Sequence, residues 1–472
     1  MLPQDSSHAV HARSVHENPA RPVVKRPSSV RGRLPARRAV SDSAGSTLLT
    51  DPDYYGSLAA VRDLGRAGVS VRVADEQGQR SRSATSRFCR QRVVGPDAAQ
   101  HSDHRLAFLL EQGREHEGTF LYPTSDDMAW LVARHQDALR THFRLYQPSA
   151  DATFGLLDKS RLYAHAETAG VPFPATHAPT TLTALAELCA HLERSGGFPV
   201  ILKPRTQAGL RNKVKGQIVT TTAELLAGVS QMRQPDFYEA DFLQSAPTDI
   251  TWPLVQRYMP EAQQNTYSVS GFIDATGTLR AARASVKVFQ IPVRIGVGVA
   301  FEGRPLVPRL ITRIEQIARA TGYHGVCEVE FIHVAKQDLY YLMDFNPRYY
   351  GQMQFEISRG LALPRLAHAA AHGRDAEVSA LCDTADDIHR TTNPASQRYC
   401  NRWLFQSLLR AQRLSGRMPA DRHAAWLQWM DGREVFDSVR ADDDPAPAVA
   451  DRSRHLRRWV RHPRSGYREL FQ

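Results

Sequence analysis

Apolar positions along the chain alternate between two spacings. Leu58, Val61 and Leu64 recur at helical intervals within Ser57–Ala67, and Gly68 closes that segment. The β-branched run Val69–Ala74 follows and Thr47–Thr50 precedes it, so the opening reads strand–helix–strand, the unit of a parallel sheet. Phe120–Pro123 predicts a further strand, with a helix after Thr124-Ser125-Asp126-Asp127. Near residue 150 the character changes. A helix opens at Leu157-Asp158-Lys159 and runs to Thr168, and a second spans Leu182–Arg194. Short strands are predicted at Phe198–Pro204, Gln217–Thr220 and Pro253–Met259. Ser268–Ile273 and Leu279–Val288 flank a turn at Asp274-Ala275-Thr276-Gly277. Leu310, Ile314, Ile317 and Ala318 mark an amphipathic helix that leads to Gly322. From about residue 376 the pattern is helical and polar, broken at Asp444-Pro445-Ala446-Pro447. Residues 1–46, rich in Pro, Ser, Arg and His, lack this periodicity and are expected to be disordered and dispensable.

Composition narrows the classes. A chain of 472 residues with 42% hydrophobic and 23% charged residues has ample material for several globular domains. Its net charge of +11 resides in the tails. Residues 1–46 hold eight Lys/Arg against three Asp/Glu, residues 452–472 hold seven Arg against one Glu, and the body between them is neutral. Neither tail interleaves aromatics with its basic residues, so no specific nucleic-acid function is expected. The five cysteines form no CxxC pair, which argues against a disulfide framework or a zinc site and fits a cytoplasmic protein. No apolar run reaches the length of a membrane span. No GxGxxG motif is present, so a dinucleotide is not the expected ligand. Oligomeric state leaves no signature.

The chemistry concentrates on two neighbouring strand-like runs, Gly325–Val334 and Leu339–Asn346, separated by Ala335-Lys336-Gln337-Asp338. Strand side chains alternate faces, so Asp344 and Asn346 share one, and Glu328 and Glu330 share another. If a hairpin sets Glu330 opposite Asp344, the oxygens of Glu330, Asp344 and Asn346 converge, a donor set for Mg²⁺ or Mn²⁺ that also takes phosphate oxygens. Arg348, just beyond, is placed to meet an anion. Direct opposition demands a turn centred on Gln337 with an odd loop, which sets Phe331 against Met343 and Val329 against Phe345. An even loop would pair Glu330 with Met343 and split the ligands between faces.

Several separated motifs then agree in order. Phe198–Pro204, Leu254–Pro260, Gly322-Tyr323-His324-Gly325-Val326 with Glu330-Phe331, and Asp344–Arg348 resemble the ATP-grasp superfamily. The stretch Asp344–Gly351, continued by Gly360–Pro364, and Ser86-Arg87-Phe88-Cys89 in the first domain resemble its carbamoyl-phosphate-synthase-like carboxylate–amine ligase branch. The resemblance implies α/β and α+β domains in series: a Rossmann-like domain at 47–150, an ATP-grasp domain at 151–375, and a mostly helical extension with a basic tail at 376–472. It implies ATP-driven conversion of a carboxylate to an acyl phosphate that an amine attacks. Lys159 and Lys203 would bind ATP phosphates, backbone around Gln256, Arg257 and Met259 would meet the adenine edge, and Glu330, Asp344 and Asn346 would hold Mg²⁺. Arg348 would stabilise the transferring phosphoryl group.

The sequence also departs from that branch. Arg257 stands where Glu is common, Glu261 where Gly is, and Asp344 replaces a longer Glu. The loop Thr206–Gly216 lacks the usual Ser/Gly-rich composition, and its Arg211, Lys213 and Lys215 are either phosphate ligands or solvated. Lys287 and Arg294 are candidates for docking the carboxylate substrate. The alternatives are another ATP-grasp enzyme, such as a carboxylase or a carboxylate kinase, and a non-catalytic ATP-binding protein.

Overall fold

Three sheets organise the computed structural model, which describes residues 45–76, 80–96, 102–212, 214–292, 295–432, 434–463 and 466–467. Of the leader 1–46, residues 1–44 lie outside the described residues, as do Lys213 and Arg294, and Ser46 already begins the first strand.

The first sheet is wholly parallel, in the order Cys89–Gly95, Ser70–Glu76, Ser46–Leu49, Thr119–Leu121, Phe143–Arg144. The β-branched strands and the helix Tyr55–Arg66, with Leu58, Val61 and Leu64 buried, form it as the apolar spacing predicts. Strand order reverses between Ser46–Leu49 and Thr119–Leu121. The crevice beyond the carboxyl ends of such a pair is where open α/β sheets bind ligands. Asp51 occupies this end with φ of +43° and accepts hydrogen bonds from Thr124 Oγ1 (2.9 Å) and Ser125 Oγ (2.8 Å). Ser125 also caps the helix Asp126–Arg134 by accepting from the Met128 N–H.

The second sheet has four antiparallel strands in the order Thr176–His177, Leu254–Arg257, Val200–Lys203, Gln217–Val219. The third has seven, in the order Leu339–Asn346, Gly325–Val334, Thr266–Ile273, Leu279–Ile291, Val297–Arg304, Arg398–Cys400, Val435–Asp437, antiparallel except for the last pair. The last two strands were not legible in the chain's polar C-terminal pattern; at three residues each they are too short for a period of two to show. They extend the central sheet, and the helices Asp375–Thr391, Arg402–Leu414, Ala420–Met430 and Ala446–Arg461 complete the extension.

One face of the seven-stranded sheet is apolar. Val269, Val329, Phe331, Leu342 and Phe345 pack in one core with Leu310, Ile314 and Ile317 of the helix Pro308–Thr321. Burial of each such side chain is worth about 1.5–3 kcal/mol. The opposite face carries Ser268 and Ser270, then Arg283, Ser285 and Lys287, then Glu328, all buried. A buried polar face does not contribute in this way and calls for a chemical reason.

Candidate active site

The hairpin of Gly325–Val334 and Leu339–Asn346 sets Glu330 opposite Asp344 and Glu328 opposite Asn346. Opposed residues on adjacent strands project to the same side, so these four form a square on the polar face. The route to this register differs from the expected one. The loop Ala335–Asp338 has an even number of residues, with Val334 opposite Leu339. Phe331 therefore meets Leu342 rather than Met343, and a β-bulge between Glu330 and Phe331 takes up the extra residue. The bulge restores the alignment that an even loop alone would destroy. Val329 faces Phe345 on the core side, as expected.

A bulge leaves backbone groups without ladder partners, and here side chains supply one. Tyr163, from the helix Lys159–Thr168, donates its hydroxyl to the Met343 carbonyl (3.0 Å). Gln256 Nε2 donates to Tyr163 Oη (3.1 Å), and Lys203 Nζ donates to Gln256 Oε1 (2.9 Å). The distortion that aligns the carboxylates is thus wired to a lysine at the end of another sheet. Tyr163→Phe should leave the Met343 carbonyl and the Gln256 amide short of partners, costing about 1–3 kcal/mol of stability. Urea unfolding will show it, with weaker ATP binding as the second readout.

Lys203 and Lys159 both reach this polar face. Burial, then the charge of Lys159, pushes Lys203 down to about 8. Lys159 Nζ lies 2.5 Å from Asp344 Oδ1. Burial works against the Lys159 charge, but Asp344 outweighs it and holds the lysine protonated. The converse holds for Asp344: burial would raise its carboxyl, yet Lys159, with Lys203 and Lys215 behind it, keeps it below the usual carboxylate range. Lys287 is buried and is pushed down by that burial, with the charge of Glu330 opposing. Glu328 is pushed up by burial and then by Glu330, and accepts from Ser268 Oγ (3.0 Å), Asn346 Nδ2 (3.1 Å) and Gln352.

Arg348 is held at three points. Its Nε donates to Asp126 Oδ1 (2.5 Å), Nη2 to Asn346 Oδ1 (2.9 Å) and Nη1 to the Tyr349 carbonyl (3.0 Å). Burial opposes its charge, and Asp126 more than compensates. The sequence flagged Thr124–Asp127 as a helix start, without signalling that Asp126 would seat Arg348. Arg205 was also missed: it is buried against Asp158 and lies 2.5 Å from Asp249. Because Asp158 caps the helix that begins with Lys159, Arg205 fixes that lysine's position.

The segment expected to meet an adenine edge forms the strand Leu254–Arg257. Gln256 turns its side chain inward to Lys203, the Arg257 N–H is spent on the Ala175 carbonyl (2.8 Å), and Met259 is buried at the strand's exit. Of the loop lysines, Lys215 acts on Asp344 and Lys287 electrostatically.

Two carboxylates and an amide suit a divalent cation only in part. Among the described residues no group of three or more His, Cys, Asp and Glu is arranged to hold a metal. The Asn346 amide already bonds at both ends, to Arg348 and Glu328. Such a set fits Mg²⁺, which keeps waters and takes phosphate oxygens, and does not fit a metal held by protein alone.

No family model matches this sequence, and no curated protein does. Solved structures match over most of the chain. L-amino acid ligase from Bacillus licheniformis is 12% identical, with 69% of this chain and 73% of that one covered and a TM-score of 0.51. Biotin carboxylase from Campylobacter jejuni, solved as a β-γ-ATP complex, is 18% identical over 70% and 71%, with a TM-score of 0.52. The biotin carboxylase domain of Hydrogenobacter thermophilus 2-oxoglutarate carboxylase, solved with MgADP and bicarbonate, is 14% identical over 70% and 69%, with a TM-score of 0.53. No helix among the described residues is long and apolar enough to cross a membrane. At these identities the likeness is one of architecture: the chain shares its fold with these ligase and carboxylase structures.

Proposed function

We propose that the chain is an ATP-dependent carboxylate–amine ligase of the carbamoyl-phosphate-synthase-like branch. Residues 47–150 serve as its pre-ATP-grasp domain, 151–375 as its ATP-grasp domain and 376–472 as an extension. The observation that carries this reading is the buried polar face on which Glu330 and Asp344 oppose each other with Lys159, Lys203, Lys287 and Arg348 around them. A carboxylate is a poor electrophile. Transfer of the ATP γ-phosphoryl group to one of its oxygens breaks the bond to the β-phosphate bridge and creates a leaving group. Amine attack at the acyl carbon then expels phosphate and forms the C–N bond. An anionic carboxylate must approach a polyanionic triphosphate during the first step, so the residues' task is neutralisation and alignment.

Lys159 and Lys203 would bind the phosphates, and the backbone near Gln256, Arg257 and Met259 would border the adenine. Glu330, Asp344 and Asn346 would hold Mg²⁺ or Mn²⁺, which supplies charge neutralisation at the phosphates. Arg348 would meet the transferring phosphoryl group, and Lys287 would steady the carboxylate substrate. The substrates are a small-molecule carboxylate and an amine. Five free cysteines fit a cytoplasmic enzyme. The likeness to two biotin carboxylase structures favours a second reading, a carboxylase. Phosphate release measured across a panel of carboxylates, with and without amines, separates the two. Amine-dependent release supports the ligase, bicarbonate-dependent release supports the carboxylase, and absence of any release overturns both.

Lys203 also predicts a pH dependence. Its folded value of about 8 lies below that of a free lysine, so the uncomplexed protein loses this charge as pH rises through about 8. Bound phosphate favours the ammonium, so ATP binding takes up a proton above that pH. Affinity should fall by up to about tenfold per unit between pH 8 and 10, and Lys203→Arg should flatten the curve. Calorimetry in two buffers of different ionisation enthalpy reads both effects.

A further inference from the structure

The helix Ala446–Arg461 presents two unlike faces. Inward, Pro447, Asp451 and His455 are buried at intervals of four. Asp451 accepts from Asn401 Nδ2 (2.8 Å) and pairs with Arg82 (3.2 Å), and Trp459 stacks on Trp403 with ring centroids 5.7 Å apart. The helix is therefore fixed to the body. Outward, Val449, Leu456 and Val460 are 63%, 51% and 81% exposed. At 100° per residue these three fall within about 40° of one another, opposite the buried face. Exposed Arg452 and Arg457 flank this stripe on either side, with exposed Arg461 beyond. The helix's one acidic residue, Asp451, is on the buried face.

We propose that this outward face docks on an anionic lipid bilayer. An apolar stripe edged by arginines matches a surface that offers hydrocarbon and phosphate in one plane. A second copy of the chain is a poor occupant, because it would set arginine against arginine. A nucleic acid is also a poor one, since Val449, Leu456 and Val460 supply no stacking surface for bases. Binding here is peripheral, and the anchored inward face keeps the helix in the plane of the membrane.

The test is co-sedimentation of the full chain with phosphatidylcholine vesicles, with and without phosphatidylserine. We expect binding to the phosphatidylserine vesicles, weakened by salt, and little to phosphatidylcholine alone. Leu456→Asp combined with Val460→Asp, both at exposed sites, should reduce binding at least about tenfold and leave thermal unfolding unchanged. Arg452→Glu combined with Arg457→Glu should do the same. Equal binding to both vesicle types, or none, overturns the proposal. So does undiminished binding by the variants, which retain the basic leader and would then assign binding to it. A wild-type dimer in sedimentation that the Asp variants dissociate would replace the bilayer with a second copy.

Discussion

Replacing Arg348 by Ala should lower turnover by about a thousandfold while ATP affinity stays within a few-fold of wild type. The expectation follows from how the side chain is held. Asp126 fixes Nε, Asn346 fixes Nη2 and the Tyr349 carbonyl takes Nη1, so three of five donors are committed and the fork is already oriented. A preorganised cation contributes most where negative charge develops, that is, in the transition state. Arg348→Lys retains charge but loses the planar fork, and should fall between wild type and Ala. Single-turnover phosphate release gives the rate, and calorimetry with Mg²⁺ and ATP gives the affinity. If Arg348→Ala abolishes nucleotide binding in a protein that unfolds normally, the residue holds the ground state and this role is wrong. The variant also leaves Asp126 without its cation, so urea unfolding must accompany the kinetics.

The elements that carry the chemistry were largely readable from the sequence because they are long and strictly patterned. Gly325–Val334 and Leu339–Asn346 occur with the bounds their alternation predicts. The helix Pro308–Thr321 buries Leu310, Ile314, Ile317 and Ala318, the positions its period marks. What failed was counting across the turn. Loop parity gives register only for a regular ladder, and a bulge has no sequence signature when the extra residue is an ordinary Met. The chain reaches the predicted opposition of Glu330 and Asp344 by a different path.

The same limit applies to tertiary pairings. Nothing near Arg348 announces Asp126, which lies 222 positions earlier, or joins Lys159 to Asp344 across 185. Burial misleads in the other direction. Ser268, Ser270, Arg283 and Ser285 alternate with apolar residues as a solvated face would, yet all are buried. A period of two reports that a strand has two kinds of face and is silent on whether the polar one meets water. Ser86-Arg87-Phe88 illustrates a motif whose contacts are structural: Ser86 Oγ and the Arg87 N–H both bond Asp444, which also receives Arg62 at 2.9 Å.

Asp344→Asn should be the most damaging single change at the site, reducing Mg²⁺-dependent ATP turnover by more than about 10⁴-fold. In the structure Asp344 Oδ1 receives both Lys159 Nζ and its neighbour's Phe345 N–H (3.1 Å), and the carboxylate is held ionised by the surrounding lysines. The arrangement is a resting pair of opposite charges. On the proposed reading, phosphate would become the partner of Lys159 and a divalent cation that of Asp344, so one ion pair would be exchanged for two at little net desolvation. Asparagine keeps the shape and accepts a hydrogen bond from Lys159, so folding should survive. It lacks the charge that, with Glu330, would draw a divalent cation to this spot. Wild type should bind ATP only with Mg²⁺ or Mn²⁺, because the remaining coordination positions must come from phosphates and water. Asp344→Asn should raise the Mg²⁺ concentration needed for half-maximal binding by at least about a hundredfold. Lys159→Met offers the contrast: it should weaken ATP binding at saturating Mg²⁺ and shift that midpoint far less. Calorimetric titration of ATP at graded Mg²⁺, with a chelator as the zero point, distinguishes the two. An unchanged Mg²⁺ midpoint in Asp344→Asn, or tight ATP binding by wild type in chelator, would remove the metal from this face and leave Asp344 as no more than the counter-ion of Lys159.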